Sequence, residues 1–386
     1  MVKKTIVYVN FSPYENAGRI LDYLLDNFDT VILFLLNFHQ LGKSQKPGKL
    51  VVYRNKKIME EYPLIDLPFR IPPSLNFILL PIRSLINLFQ ILWYNLKLRN
   101  KYGKLNLYFT VNAFTSWIGN VLKNFKVVEK TIFWVWDYYP PRHPSKITSL
   151  MRWIYWQFDK AAINSDRVAF LNKKLEDLRK KIEIIPPNAY FPTVPIGTDP
   201  IEKLNKKNLE KIIIGFLGVL KKSEGIDIVF DSAEEMIQKF PNIEFEIIGA
   251  GPDEKYFRER AKKIPLSVKF YGYVASENEI RKIQLRWTIA IAPYIPEESN
   301  VSFYTDSSKI KSYLSLGIPV IITNVNFSKE VIKSSAGIVI SYNKKEFINA
   351  VSKILNNYQD LRKNALDLSK KYYYKKLYPL LFKSLI

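Results

Sequence analysis

Short apolar runs alternate with amphipathic stretches along most of the chain. In the first half, residues 5–9, 31–36, 50–53, 105–111, 131–136 and 167–171 are apolar runs of strand length. Between them, 17–27 puts Ile20, Leu21, Leu24 and Leu25 on one helical face, and 115–124 and 148–164 read as further helices. Apolar strands separated by helices predict a parallel sheet covered on both faces. Beyond residue 210 the alternation is regular. Strands are expected at 211–217, 243–248, 268–271, 289–292, 319–323 and 337–340, and helices at 225–239, 254–263, 277–286, 309–316 and 345–358. The stretch 361–386 is helical in pattern. The pattern is that of an α/β protein with two Rossmann-like domains. The proline-rich stretch 186–200 and the basic residues after it mark the boundary.

One segment stands apart. From 74 to 96 the only charged residue is Arg83, and Lys97, Arg99, Lys101 and Lys104 follow. The length is enough to span a bilayer. Pro81, Asn87, Gln90 and Asn95 argue for a buried helix. Phe77, Trp93 and Tyr94 beside the basic run argue for a helix lying at a membrane interface. The short apolar run at the N-terminus is followed at once by Asn10, Ser12 and Glu15, so it reads as a first strand and not as a signal peptide.

Composition narrows the chemistry. The 386 residues contain no cysteine, which excludes disulfides, thiolate zinc sites and a cysteine nucleophile and fits a reducing cytoplasm. The only histidines are His39 and His143, which excludes a histidine-rich metal centre. A net charge of +22 favours anionic partners. The basic residues are dispersed and no nucleic-acid signature is present, so phosphorylated substrates and an anionic membrane surface are expected and nucleic acid is not.

Several predicted strands of the second half end in glycine or proline turns: 215–225 with Gly218, Lys221 and Lys222; 247–252 with Gly249 and Gly251; 270–274 with Tyr271, Gly272 and Tyr273; and 292–296, which opens a polar loop containing Glu298, Ser299 and Asn300. In a parallel sheet all strand C-termini lie along one edge, so these turns gather at one crevice, where backbone N–H groups and helix N-termini take anions. Each turn alone is as readily a packing device. In the first half, 134–143 leaves a strand with Trp136, Asp137 and His143. It reads either as an aromatic loop packed on its own domain or as a sugar platform.

In its order of glycine turn, Gly225-Ile226-Asp227, Ile247-Ile248-Gly249-Ala250-Gly251, Phe270-Tyr271-Gly272-Tyr273-Val274, a proline strand end, Lys309 and Gly317-Ile318-Pro319-Val320-Ile321, the second half resembles the donor domain of glycosyltransferase family 4 (group 1) enzymes. The resemblance implies the GT-B fold, with two Rossmann-like domains facing a central cleft and a C-terminal helix crossing back to the first. It divides the chain into an acceptor-side domain (1–195), a linker (196–210), a donor domain (211–369) and a returning tail (370–386). It implies a retaining, metal-independent hexosyltransferase, with a nucleotide-sugar as co-substrate and no other cofactor. The +22 charge, the apolar segment 74–96 and the basic run beside it add the expectation of a lipid-linked glycan acceptor, met by a cytoplasmic protein held peripherally at the membrane. The implied donor-site residues are Gly218, Lys221, Lys222, Gly249, Gly251, Tyr271, Tyr273, Glu298, Ser299, Asn300, Lys309 and Ser312. Asp137 and His143 would be catalytic, and Asn16, Gly18 and Trp136 would contribute to the acceptor or donor loop.

The pattern also departs from the family. The family's diphosphate-holding Arg and Lys fall on Val219 and Glu224, and its paired glutamates fall on Tyr304 and Ser312. These departures leave open a degenerate GT-B binding protein or a sugar-nucleotide epimerase.

Overall fold

The structure, a computed structural model, describes residues 4–11, 16–36, 48–67, 79–136, 145–182, 191–274, 276–295 and 306–385. The chain divides into two compact units: Met1–Pro195 with Leu377–Ile386, and Ile196–Lys376.

The first unit contains β1 (Thr5–Asn10), α1 (Ile20–Asn27), β2 (Thr30–Leu35), β3 (Lys49–Arg54), β4 (Lys57–Pro63), α2 (Leu80–Tyr102), β5 (Leu105–Thr110), α3 (Ala113–Asn124), β6 (Val128–Val135), α4 (Lys146–Ala162), β7 (Arg167–Phe170) and α5 (Lys173–Lys181). Its strands run in the order β4-β3-β2-β1-β5-β6-β7. β1 and β2 are buried at every position, as expected for strands covered on both faces.

The wholly parallel sheet expected from the sequence is corrected at one edge, where β3 and β4 pair antiparallel. Asn55 and Lys56, both with positive φ, join them in a two-residue hairpin. β4 escaped the apolar pattern because it is an exposed edge strand carrying Lys57, Glu60 and Glu61. The single helix expected over 17–27 is also broken: Gly18 and Arg19 both adopt φ 65°, and regular helix starts at Ile20.

Helices α2, α3 and α4 lie over one face of this sheet, with α3 packed against both others. The 74–96 segment contributes most of α2, and no helix among the described residues is long and apolar enough to cross a membrane. The last residues complete this unit. The Tyr378 hydroxyl donates to the Gly18 carbonyl at 2.5 Å, and Phe382 stacks on Tyr23 with ring centroids 5.6 Å apart.

The second unit contains β8 (Ile212–Leu217), α6 (Asp227–Asp231), α7 (Ala233–Lys239), β9 (Ile243–Ile248), α8 (Glu254–Ala261), β10 (Ser267–Gly272), α9 (Glu277–Gln284), β11 (Ile289–Ala292), α10 (Ser308–Ser315), β12 (Val320–Thr323), α11 (Ser328–Ser334), β13 (Gly337–Ile340), α12 (Lys344–Asn356) and α13 (Tyr358–Lys370). Two short helices, α14 (Tyr374–Leu377) and α15 (Pro379–Phe382), close the chain. The sheet is β10-β9-β8-β11-β12-β13, parallel throughout, with an apolar cluster on each face.

The one helix expected over 225–239 is two. They meet at Ser232, whose hydroxyl donates to the Ile228 carbonyl four residues back at 2.7 Å and shares that acceptor with the Ser232 N–H at 3.2 Å. Residues 196–210 pack within this unit. Ile196 and Thr198 are buried, and the Ile201 N–H donates to the Ser315 carbonyl at 2.9 Å.

Candidate functional site

The site is built at the C-terminal ends of β8 and β9. Past the strands, the two turns remain zipped together: Gly218 N–H donates to the Ile248 carbonyl at 3.0 Å and Leu220 N–H to the Ala250 carbonyl at 3.1 Å. This close approach explains two glycines. A Cβ on Gly249 (φ 138°) would lie 1.8 Å from the Gly218 carbonyl oxygen, and one on Gly251 would lie 2.4 Å from that of Leu220.

Gly218 has a different neighbour. A Cβ there would lie 2.5 Å from the Lys309 ammonium, so the missing side chain leaves room for a cation at the end of β8. Lys309 rises from the first turn of α10. Its Nζ lies 4.6 Å from the Phe216 ring centroid and 4.8 Å from that of Tyr294, and it donates to Glu224 Oε2 at 2.5 Å. Both side chains of the pair are 14% exposed. Burial works to lower the lysine's pKa, but Glu224 and the nearby Tyr294 and Tyr313 hold it well above the usual lysine value. Tyr313 fixes the strand end, its hydroxyl accepting from Leu217 N–H at 2.8 Å, and burial pushes its own pKa up. Tyr294 is likewise raised by burial, and its hydroxyl lies 3.0 Å from Ser307 Oγ.

Two residues along α10 a second lysine is enclosed. Lys311, with no side-chain exposure, pairs with Asp306 and donates to the Ile196 carbonyl at 3.1 Å, while Asp306 accepts from Ile196 N–H at 3.0 Å. Burial lowers the Lys311 pKa against the pull of Asp306.

The other donor-side candidates are spread around these turns. Lys221 is exposed, and Lys222 lies with its ammonium 4.1 Å from the Tyr256 ring centroid. The Ser312 hydroxyl donates to Gln284 Oε1 at 3.2 Å. The Tyr271 hydroxyl donates to Glu246 at 3.0 Å, in an internal cluster with Arg286 and Trp287. Tyr273 is half-buried, with its pKa raised by burial. Glu298, Ser299 and Asn300 lie outside the described residues, as do Asp137, His143 and His39. Among the described residues no group of three or more histidine, cysteine, aspartate or glutamate side chains is placed to hold a metal ion.

Residues 211–357, which contain this whole edge, match the family Glycosyl transferases group 1. The second unit carries a group 1 glycosyl transferase domain. Solved structures resemble the entire chain. Sucrose-phosphate synthase from Thermosynechococcus elongatus is 15% identical, with TM-score 0.68 over 97% of this chain and 96% of that one. An alpha,alpha-trehalose-phosphate synthase (UDP-forming) from Burkholderia vietnamiensis is 11% identical, with TM-score 0.62 over 99% and 96%. Anabaena HepE in complex with UDP is 12% identical, with TM-score 0.56 over 96% and 95%. The fold is GT-B. No curated protein sequence matches the chain.

Outside the glycosyl transferase domain, three candidates lie near strand C-termini of the first unit. Asn16 Oδ1 accepts from Asp22 N–H at 3.3 Å and so steadies the start of α1. Gly18 supplies the left-handed turn whose carbonyl Tyr378 holds. Trp136 packs edge-on against Trp134 with centroids 5.3 Å apart, and its buried indole N–H has no acceptor among the described residues.

Sequence reading missed the pairing of Glu224 with Lys309 and the enclosing tyrosines. The one available signal was a carboxylate standing where the family places a lysine.

Proposed function

We propose that the protein moves a hexose-type sugar from a nucleotide-sugar to a glycan acceptor, with retention at the anomeric carbon. The bond from that carbon to the donor diphosphate breaks and a bond to an acceptor hydroxyl oxygen forms. The hydroxyl proton is lost and a nucleoside diphosphate leaves. In this reading the second unit holds the donor and the first unit the acceptor. A lipid-linked glycan at the cytoplasmic face of a membrane is the acceptor class that suits the chain's charge.

The observation that carries the reading is Lys309. It is a buried cation under a glycine turn, at the first turn of a helix, in a domain matched to group 1 glycosyl transferases. A cation and a helix N-terminus together stabilise the charge of a departing diphosphate. The reading therefore includes no need for a divalent metal, and activity that falls away in EDTA and returns with manganese or magnesium would overturn that part.

Thermal-shift measurement against a panel of nucleotide-sugars, followed by assay of nucleoside diphosphate release, tests the whole. A ligand bound only by the folded protein raises its melting temperature. A stabilising donor that is never turned over would favour a second reading, a GT-B subunit that binds nucleotide without catalysis. The carboxylate neutralising Lys309 supports that alternative.

A further inference from the structure

Helix α2 is built with its polarity reversed. Arg83, Gln90 and Asn95 face inward and are buried. Gln90 is locked to the backbone of Ile65, donating to its carbonyl at 2.9 Å and accepting from its N–H at 2.5 Å. The outward face carries Ile82, Leu85, Phe89, Trp93 and Leu96, a spacing that forms one stripe along the helix. Phe89 is 66% exposed and Trp93 67%.

Helix α4 repeats the feature with Ile147, Leu150, Trp153 and Ile154, of which Trp153 is 52% exposed. The two helices flank α3 in one layer. Phe158 of α4 meets Phe114 of α3 at 5.0 Å, and Ile91 of α2 joins the same apolar cluster. Both stripes therefore belong to the outer side of a single helical layer.

We infer that this outer side is a docking surface for an anionic lipid headgroup layer. Charge decides between a lipid surface and a second copy of the chain. The exposed cations of helix α2 are Lys97 and Arg99, with Lys101 already paired to Glu60 at 2.8 Å, and the helix itself contains no carboxylate. The only carboxylate of α4, Asp159, is buried and bonded to Arg179 at 2.7 Å. A second copy would bring the same cations and no exposed carboxylate from either helix, whereas lipid phosphates match them. Large apolar and tryptophan side chains enter the boundary between headgroups and acyl chains, with basic residues beside them at the phosphates.

Topology adds a reason for the position. α2 and α4 each lead into a parallel strand, β5 and β7, so their N-terminal ends lie at the C-terminal edge of the strands, where α/β sheets take ligands. Ile82, Leu85, Ile147 and Leu150 sit in the first two turns of their helices. The surface thus begins beside the edge assigned to the acceptor. From the proposed function this inference takes only the expectation of a membrane-borne acceptor.

Co-sedimentation with vesicles tests it. The full chain is expected to bind equimolar phosphatidylglycerol and phosphatidylcholine at low salt, to release at high salt, and to ignore phosphatidylcholine alone. The triple variant Phe89→Ser, Trp93→Ser, Trp153→Ser changes only exposed side chains and is expected to keep its melting temperature while binding the anionic vesicles roughly tenfold more weakly or worse. No binding by the natural chain at low salt overturns the inference, and so does undiminished binding by the triple variant. A dimer in sedimentation velocity that the triple variant abolishes, without vesicle binding, assigns the face to a second copy and also overturns it. Thermal shift by nucleotide-sugars on the same samples keeps the two readings apart. Vesicle binding without any nucleotide response sinks the transferase reading alone, and the reverse sinks the docking surface alone.

Discussion

Lys309 and Lys311 stand two residues apart on α10, each enclosed and each facing a carboxylate, yet they do different things. Lys311 and Asp306 close on the two backbone polar groups of one residue, the N–H and carbonyl of Ile196, and leave nothing facing outward. Lys309 and Glu224 close on each other with Tyr294 beside the lysine, beneath a glycine, at a strand end of the kind where α/β sheets take ligands. A buried cation whose partners all belong to backbone and core is a fastening. One whose only carboxylate partner sits on a short turn is, in the function proposed above, a cation held in readiness for another anion.

The largest expected effect breaks the fastening. Lys311→Met leaves Asp306 buried without its counter-ion and should lower stability by about 3–5 kcal/mol. Urea unfolding measures this, and Lys309→Met should lose clearly less, because Glu224 is partly exposed and can rehydrate. Equal losses would erase the distinction.

Next in size is ligand binding. Lys309→Ala should weaken a nucleoside diphosphate by about 1.5–3 kcal/mol, one charge-assisted contact. Calorimetry with UDP gives the value, and unchanged affinity in a folded variant removes the site from this place. Glu224→Gln should move the other way by about 1 kcal/mol, since the diphosphate no longer competes with a carboxylate. A smaller thermal shift with UDP than in the natural chain would contradict this.

The smallest effect sharpens the comparison with a third lysine. Lys207 bonds a backbone carbonyl, its ammonium donating to the Leu285 oxygen at 2.7 Å. Burial, with Arg362 and Arg286 nearby, pushes its pKa down to about 8. Between pH 8 and the ordinary lysine value near 10.5 the unfolded chain then binds more protons, so this group's contribution to stability rises with pH across that window. Below pH 8 both states are protonated and the penalty is constant. Lys207→Met should flatten the rise, as read from melting temperatures at pH 8 and pH 10.

Strands sealed on both faces were plainest in the sequence. Ile289–Ala292 is a continuous apolar run buried at every position, and the structure gives it the limits expected, as it does Gly337–Ile340 and, despite Glu244 and Glu246, Ile243–Ile248. β4 was not legible because an exposed edge strand carries charges where a buried one carries valine or isoleucine. Nor was the junction at Ser232, where the hydroxyl shares the Ile228 carbonyl with the backbone N–H. At the site, the glycine turns and Lys309 could be read locally. The Glu224 pair could not, because its partners are 85 residues apart and only the sheet brings them together.

The first unit is interrupted: its closing pieces, Tyr378 and Phe382, are encoded after the whole of the second. A ribosome making the chain from its N-terminus adds the intervening residues first, which takes on the order of ten seconds at ordinary elongation rates. Through that interval Tyr23, Phe28 and Phe109 have no Phe382 to cover them. The first unit therefore starts to form before the second and finishes after it, and the nascent chain carries an open aromatic seam that a chaperone can occupy until Phe382 is added.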